Sequence, residues 1–167
     1  VDLSNVATVV RNASSLEMTG LELEVMYQVT QAWNVMATYG YLDSEYADYL
    51  ADLTGDNIVT DNSALVPRNT PKNTFGLTTS YTAKVGNGDL KARISYRHRS
   101  DMETNSSNNP LGTLDSISNV NATVSYTINN YGVSLWGRNI TDQREERWAT
   151  IGGLTSRGWW NEPATYG

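Results

Sequence analysis

Apolar residues in this chain recur at every second position, segment after segment, and that period restricts it to β-structure. From Leu21 the alternate positions Leu21, Leu23, Val25, Tyr27 and Val29 are apolar, with Glu22, Glu24, Met26, Gln28 and Thr30 between them. The pattern recurs at Trp33, Val35, Ala37, Tyr39 and Tyr41, and again at Phe75, Leu77, Thr79, Tyr81, Ala83 and Val85. It continues at Leu90, Ala92, Ile94 and Tyr96, then from Val120 to Ile128, then at Tyr131, Val133 and Leu135. Successive strand side chains point to opposite faces, so each segment has one apolar and one polar face. Val6 to Val10 reads as a further strand of ill-defined register. No segment carries a 3.6-residue stripe, so the expected class is all-β.

The connections narrow this further. Thr30-Gln31, Gly86-Asn87-Gly88 and Asn129-Asn130 read as tight hairpin turns, where Gly and Asn supply positive φ at low cost. Between them lie long polar stretches, about Asp43 to Thr70, Asp101 to Ser116 and Thr141 to Gly158. Short and long connections therefore alternate, and an antiparallel up-and-down meander gathers all the short turns at one end. Outer-membrane barrels have that asymmetry, with short periplasmic turns and long extracellular loops. Loops of this length are uncommon inside a compact soluble domain.

Aromatic placement points the same way. Ten Tyr and five Trp stand against a single Phe, and Tyr and Trp suit membrane–water boundaries. On the apolar parity, Tyr27, Trp33, Tyr81, Tyr126 and Tyr131 fall near the tight turns, while Tyr39, Tyr41, Phe75 and Tyr96 fall near the long loops. Two aromatic belts around a band of Leu, Val, Ile and Ala describe a lipid-facing barrel wall. The opposite parity carries Glu22, Glu24, Thr78, Lys84, Lys91, Arg93, Arg97, Arg99, Asn121, Thr123, Ser125 and Arg138, a face suited to a wet lumen. The absence of Cys removes disulfide and thiolate-metal frameworks. A net charge of −6 argues against a nucleic-acid partner. No leader is visible at Val1 and Thr165-Tyr166-Gly167 reads as the opening of a strand, so a piece of a longer barrel is expected.

Five motifs in order carry a family resemblance. They are Thr19-Gly20-Leu21-Glu22-Leu23-Glu24, Tyr39-Gly40-Tyr41-Leu42-Asp43-Ser44-Glu45-Tyr46, the Pro-containing lead Val66 to Phe75, Leu135-Trp136-Gly137-Arg138-Asn139-Ile140-Thr141-Asp142, and Glu162-Pro163-Ala164-Thr165-Tyr166-Gly167. Together they resemble the C-terminal part of the β-barrel of a TonB-dependent outer-membrane receptor. The resemblance implies that residues 1–167 form one segment, about seven strands of a presumed 22-stranded transmembrane barrel, with the plug domain and the closing strand absent. It implies outer-membrane lipid, the plug of the same full-length protein, the TonB system and a small-molecule substrate as partners. It further implies uptake of a scarce nutrient, most commonly a ferric siderophore, across the bacterial outer membrane.

Candidate contacts follow from parity and position. Arg93, Arg97, Arg99 and Arg138 share the lumenal parity and could meet an anionic chelate or the plug, although a generic hydrated wall is the simpler reading. Trp136 faces inward, which fits plug packing or ligand stacking, with plug packing favoured. Arg144, Glu145, Glu146, Arg147 and Trp148 could sit at the mouth of the barrel and touch substrate, although a charged solvent-facing loop is the simpler account. Asp52, Thr54, Asp56, Asn57, Thr60 and Asp61 resemble a calcium loop but lack its Gly and its terminal Glu, so a solvated loop is expected. His98 has no partner nitrogen or thiolate and is placed at headgroup level. The Asn12, Asn105, Asn121 and Asn139 sequons read as accidental. No catalytic group, cofactor site or metal site is expected. A soluble carbohydrate-binding β-sandwich, with Trp148, Trp159 and Trp160 as platforms, and a small structural outer-membrane barrel are the alternatives. The sandwich requires Leu21, Val25, Val35, Ile94, Val124 and Leu135 to be buried against a second sheet.

Overall fold

The computed structural model describes residues 15–152 and 155–167, with the backbone alone at 147–152 and 155–157. The expected strand over Val6 to Val10 and the sequon at Asn12 lie outside the described residues. In chain order the strands are β1 (Ser15–Gln28), β2 (Trp33–Asp48), β3 (Leu50–Ala51), β4 (Thr60–Asp61), β5 (Asn73–Val85), β6 (Gly88–Arg99) and β7 (Met102–Glu103). They continue with β8 (Thr113–Leu114), β9 (Ile117–Ile128), β10 (Tyr131–Arg138), β11 (Glu146–Gly152), β12 (Thr155–Trp160) and β13 (Thr165–Tyr166). A 3-10 turn at Pro110–Gly112, capped by the Asn109 side chain, is the one helical element among the described residues.

Seven strands build a single antiparallel meander in the order β1-β2-β5-β6-β9-β10-β13, each beside the strand that follows it in chain order within this sheet. The sheet does not close, and β1 and β13 stand at its edges. Two-residue turns join β5 to β6 and β9 to β10. They are held by Gly86 at φ 57° and Asn129 at φ 51°, the left-handed conformations that such turns require. At the β1–β2 turn the Thr30 hydroxyl accepts from the amides of Ala32 and Trp33.

The register carries the alternation across the whole sheet. Leu23 pairs with Tyr39, Tyr39 with Phe75, Phe75 with His98 and His98 with Ser118, so these residues share one face. On the same face Val25, Ala37 and Leu77 form a neighbouring row, as do Ala92, Val124 and Leu135. Among the described residues, no second layer lies over this apolar face. Leu21 is 60% exposed and Leu135 68% exposed, and Val25, Ile94 and Val124 are exposed too. The β-sandwich alternative, which needs those side chains covered, is therefore not met.

Two features depart from the sequence reading. The stretch from Asp43 onward is not loop at first, because β2 stays paired with β1 as far as Asp48. The long connections also carry hairpins, β3–β4, β7–β8 and β11–β12, since local backbone pairing satisfies polar groups that water would otherwise have to serve. The strand opening expected at Thr165 is present as β13, whose Tyr166 and Thr165 pair with Gly137 and Arg138. The buried apolar side chains among the described residues, Tyr49, Ala51 and Leu114, lie in these connections and not in the wall.

Candidate functional site

The polar face of the wall and the long connections at its rim are the two places where chemistry can gather. On the polar face, register places Glu22 beside Gly40, Gly40 beside Thr74, and Glu24 beside Thr38. Thr38 pairs with Gly76, Gly76 with Arg97 and Arg97 with Asn119. A side chain at Gly40 or Gly76 would collide with the Thr74 or Thr38 hydroxyl, 2.7 and 2.5 Å from the Cβ position. The bare backbone thus lets each threonine lie flat and leaves a shallow groove of about 330 Å³, lined by Thr38, Gly76, Arg97, Arg99, Ile117 and Asn119 among others.

The sequence-derived cations divide by environment. Arg93 lies between Ser80 and Thr123, and Arg97 between Gly76 and Asn119, both on the polar face. Arg138 sits with its guanidinium 5.3 Å from the Trp136 ring centre, a cation–π arrangement that fixes both groups beside Asn121 and Thr123. Arg99 differs, because it donates to the carbonyls of Ser100 (2.6 Å) and Asp115 (3.0 Å). Its guanidinium holds the base of a loop. Arg144 is exposed in the last connection. The side chains of Arg147 and Trp148 lie outside the described residues, so the structure assigns them no contact.

The last connection is anchored by a buried amide knot that sequence reasoning missed. Asn139, 3% exposed and at φ 47°, donates from Nδ2 to the carbonyls of Gln143 and Glu162, both at 2.9 Å. Its Oδ1 accepts from the Gln143 amide, and its own amide donates to Asn121 Oδ1. Asn161, 5% exposed, donates to the Gln143 carbonyl and accepts from the Glu145 amide. Asp142 accepts from the Ala164 amide. Both ends of the connection are thereby tied to the same short segment. The usable signal was Gly137-Arg138-Asn139-Ile140-Thr141-Asp142, where Asn and Asp directly after a strand suit left-handed, side-chain-bonded turns.

Glu145 corrects the reading of this stretch as a solvent-facing charged loop. It is half-buried, its Oε2 has no hydrogen-bond partner, and burial raises its carboxyl above the usual range against the opposing pull of Arg99. Glu146 is also half-buried, because it begins β11 and pairs with Trp160.

The acidic loop is occupied by its own backbone. Asp52 accepts from the amides of Thr54, Gly55 and Asn57, and these bonds, the Gly55 amide foremost, hold its carboxyl below the usual range. Asp56 accepts from the Ile58 amide and Asp61 from Ser63. No group of three or more His, Cys, Asp or Glu poised for a metal ion occurs among the described residues.

His98 lies on the apolar face at the loop end, where its Nδ1 and the Tyr96 hydroxyl both meet Ser118 Oγ, at 3.0 and 3.1 Å. Of the remaining sequons, Asn121 is in β9, Asn105 caps its own loop through Ser107 and Asn109, and Asn139 is buried just past β10. Trp33 and Tyr81 are directly paired near the turns. Phe75 and Tyr96 lie near the loops with ring centroids 5.9 Å apart and planes tilted by 54°.

No curated protein matches the sequence. Among solved structures, the ferric yersiniabactin uptake receptor FyuA from Yersinia pestis superposes with a TM-score of 0.74 at 16% identity, over 93% of this chain and 23% of that one. The siderophore receptor PiuA from Acinetobacter baumannii gives 0.69 at 23% identity, over 90% of this chain and 21% of that one. The ferric-catecholate import receptor Fiu from K12 E. coli gives 0.64 at 20% identity, over 90% and 20%. The chain thus spans less than a quarter of the length of each, and the likeness is one of fold. A family model for the TonB dependent receptor-like β-barrel matches residues 1–140. With that match across most of its length, the chain belongs to the TonB-dependent receptor β-barrel family.

Proposed function

We propose that this chain is a wall segment of an importer that takes up a scarce nutrient, most often a ferric siderophore, across the bacterial outer membrane. One observation carries the reading. The sheet exposes a continuous apolar face over which the described residues lay no second layer, and the face behind that is polar. A soluble domain rarely leaves so many large apolar side chains contiguous and uncovered, whereas in a bilayer such a face is the lipid-contact wall. Lipid therefore covers the apolar face, and the plug of the complete receptor and the passing cargo meet the polar one. Arg93, Arg97 and Arg138 with Trp136 are the wall groups placed to meet an anionic chelate or the plug, and Arg144 lies where cargo first arrives. The fold likeness to FyuA, PiuA and Fiu supports a ferric chelate ahead of cobalamin, haem or an oligosaccharide.

The test is uptake by cells with and without the complete receptor, using radiolabelled ferric chelates, cobalamin, haem and an oligosaccharide. Deletion is expected to abolish uptake of one ferric chelate class, as is dissipation of the inner-membrane proton gradient. Unchanged uptake of every cargo after deletion would sink the importer reading.

A further inference from the structure

We propose that Glu145 is a proton-operated hinge: with its carboxyl neutral the β11–β12 hairpin rests on the preceding connection, and with its carboxyl ionised the hairpin lifts away. The proposal stands on the geometry of the connections and is independent of what covers the wall and of which cargo passes it.

The root of the last connection is fixed as far as Glu145. The Asn139 amide donates to Asn121 Oδ1, and the Ser118 amide donates to Gln143 Oε1 at 3.1 Å. Asn161 then holds Glu145 from both sides of its backbone. The Glu145 amide donates to Asn161 Oδ1, and the Asn161 amide donates to the Glu145 carbonyl, both at 3.0 Å. Beyond this pair comes the hairpin, with Glu146 facing Trp160 and Gly152 facing Thr155. Its strand β11 lies against β8 and the 3-10 turn of the preceding connection. The hairpin is therefore a lever pivoted at Glu145 and Asn161, and its resting place is another connection.

The other two connections are tied together by groups that do not titrate. Asn108 bonds the Val66 amide and carbonyl at 2.6 and 2.9 Å, and the Asn69 amide donates to the Glu103 carbonyl at 2.7 Å. The pivot of the third holds a carboxyl whose Oε2 is covered and has no hydrogen-bond partner among the described residues. The charged groups acting on it are Arg99 and His98 at the end of β6 and Asp115 ahead of β9, while Asp101 acts on Arg99 in turn. The Arg99 guanidinium is spent on the carbonyls of Ser100 and Asp115.

A neutral carboxyl tolerates such a place far better than a carboxylate does. The Glu145 backbone is pinned, so the charge gains water where the hairpin and the root of the preceding connection part. Burial raises the carboxyl above its ordinary range, and Asp115 adds to this while Arg99 and charged His98 oppose it. The resting hairpin therefore binds the proton more tightly than the lifted one. Rest is complete in acid and is lost as pH rises through the ordinary carboxylate range. The ratio of resting to lifted hairpin falls about tenfold per pH unit while the lifted form alone has ionised.

The segment contains no cysteine, so spin labels at Leu111→Cys in the 3-10 turn and Thr155→Cys at the head of β12 report the lever. The complete receptor is used, purified in detergent and freed of any further cysteine. Distance measurements between the labels at about pH 4 and about pH 8 bracket the carboxylate range. A short, narrow distribution is expected in acid and a longer, broader one at the higher pH. Glu145→Gln, neutral at every pH, is expected to keep the short distance throughout, and His98→Gln to keep the wild-type change. A distance that does not respond to pH, or that lengthens in acid, overturns the proposal. Any other behaviour of Glu145→Gln, or loss of the change in His98→Gln, assigns the motion to another group and overturns it equally.

Discussion

At the scale of single residues, Asn139 is the most consequential side chain in the described chain. It is buried, left-handed, and satisfies two carbonyls and one amide. Asn139→Ala is expected to destabilise the receptor by about 2–4 kcal/mol, combining unpaired buried groups with the left-handed penalty of a Cβ residue. Asn139→Gly should cost about 1 kcal/mol less, because the backbone conformation is then free. Thermal unfolding of both variants in detergent checks the order. Glu145 gives the opposite sign. Its folded carboxyl is raised by burial, so it costs nothing while neutral in both states. It costs stability once pH rises above the ordinary carboxylate range, where the unfolded state ionises first. Glu145→Gln is therefore expected to raise the melting temperature at neutral pH and to leave it unchanged in acid. A melting series across pH that shows no such convergence counts against this account. The sequence put Asn139 in a motif and Glu145 in a charged loop, but showed the burial of neither. A buried amide and a desolvated carboxylate depend on which loops fold over them, and periodicity carries no information about that.

At the scale of strands and turns, much more was legible. Each strand of the wall announced itself by its own alternation, and Gly86-Asn87 and Asn129-Asn130 marked their turns through the residues that accept positive φ. Gly86→Val should cost about 1–2 kcal/mol and weaken the β5–β6 hairpin, whereas Asn129→Gly should be close to neutral. Refolding yield into detergent micelles measures both. What the alternation hid was the extent of β2. Beyond Tyr41 the apolar parity reverses, so Leu42 and Tyr46 read as loop although the backbone ladder continues to Asp48. The hairpins of the connections were equally hidden, β3–β4 and β7–β8 being two-residue pairings in connections fixed by side-chain bonds such as Asn62 to the Ala51 carbonyl and Asn108 to Val66. Polar composition describes such segments as loops because each lacks an apolar face of its own.

At the scale of the whole molecule, the described strands form an unclosed wall with β1 and β13 at its edges. Hydrocarbon does not tolerate such edges, and in water they recruit further strands. The isolated 167-residue chain is expected to associate or to need detergent, and a monodisperse, cooperatively unfolding monomer in plain buffer would contradict that. The loops, by contrast, own the buried apolar side chains, Tyr49, Ala51 and Leu114, so the mouth holds its shape by packing while the wall relies on lipid. All-β class, meander order and the two-faced wall could be read from period and turn spacing, whereas the arrangement of the candidate contacts could not. Arg99 shared the parity of Arg93 and Arg97, and only the structure shows its guanidinium spent on loop carbonyls.

The claim on which the account stands is that one face of this wall meets lipid and the other does not. A photo-crosslinking group placed in turn at Val133, Ser134 and Leu135 of β10, and at Thr123 and Val124 of β9, reads this directly in the complete receptor in outer membranes. The account predicts lipid adducts at Val133, Leu135 and Val124 and none at Ser134 or Thr123. Lipid adducts at all five positions, or at the polar pair alone, would contradict it.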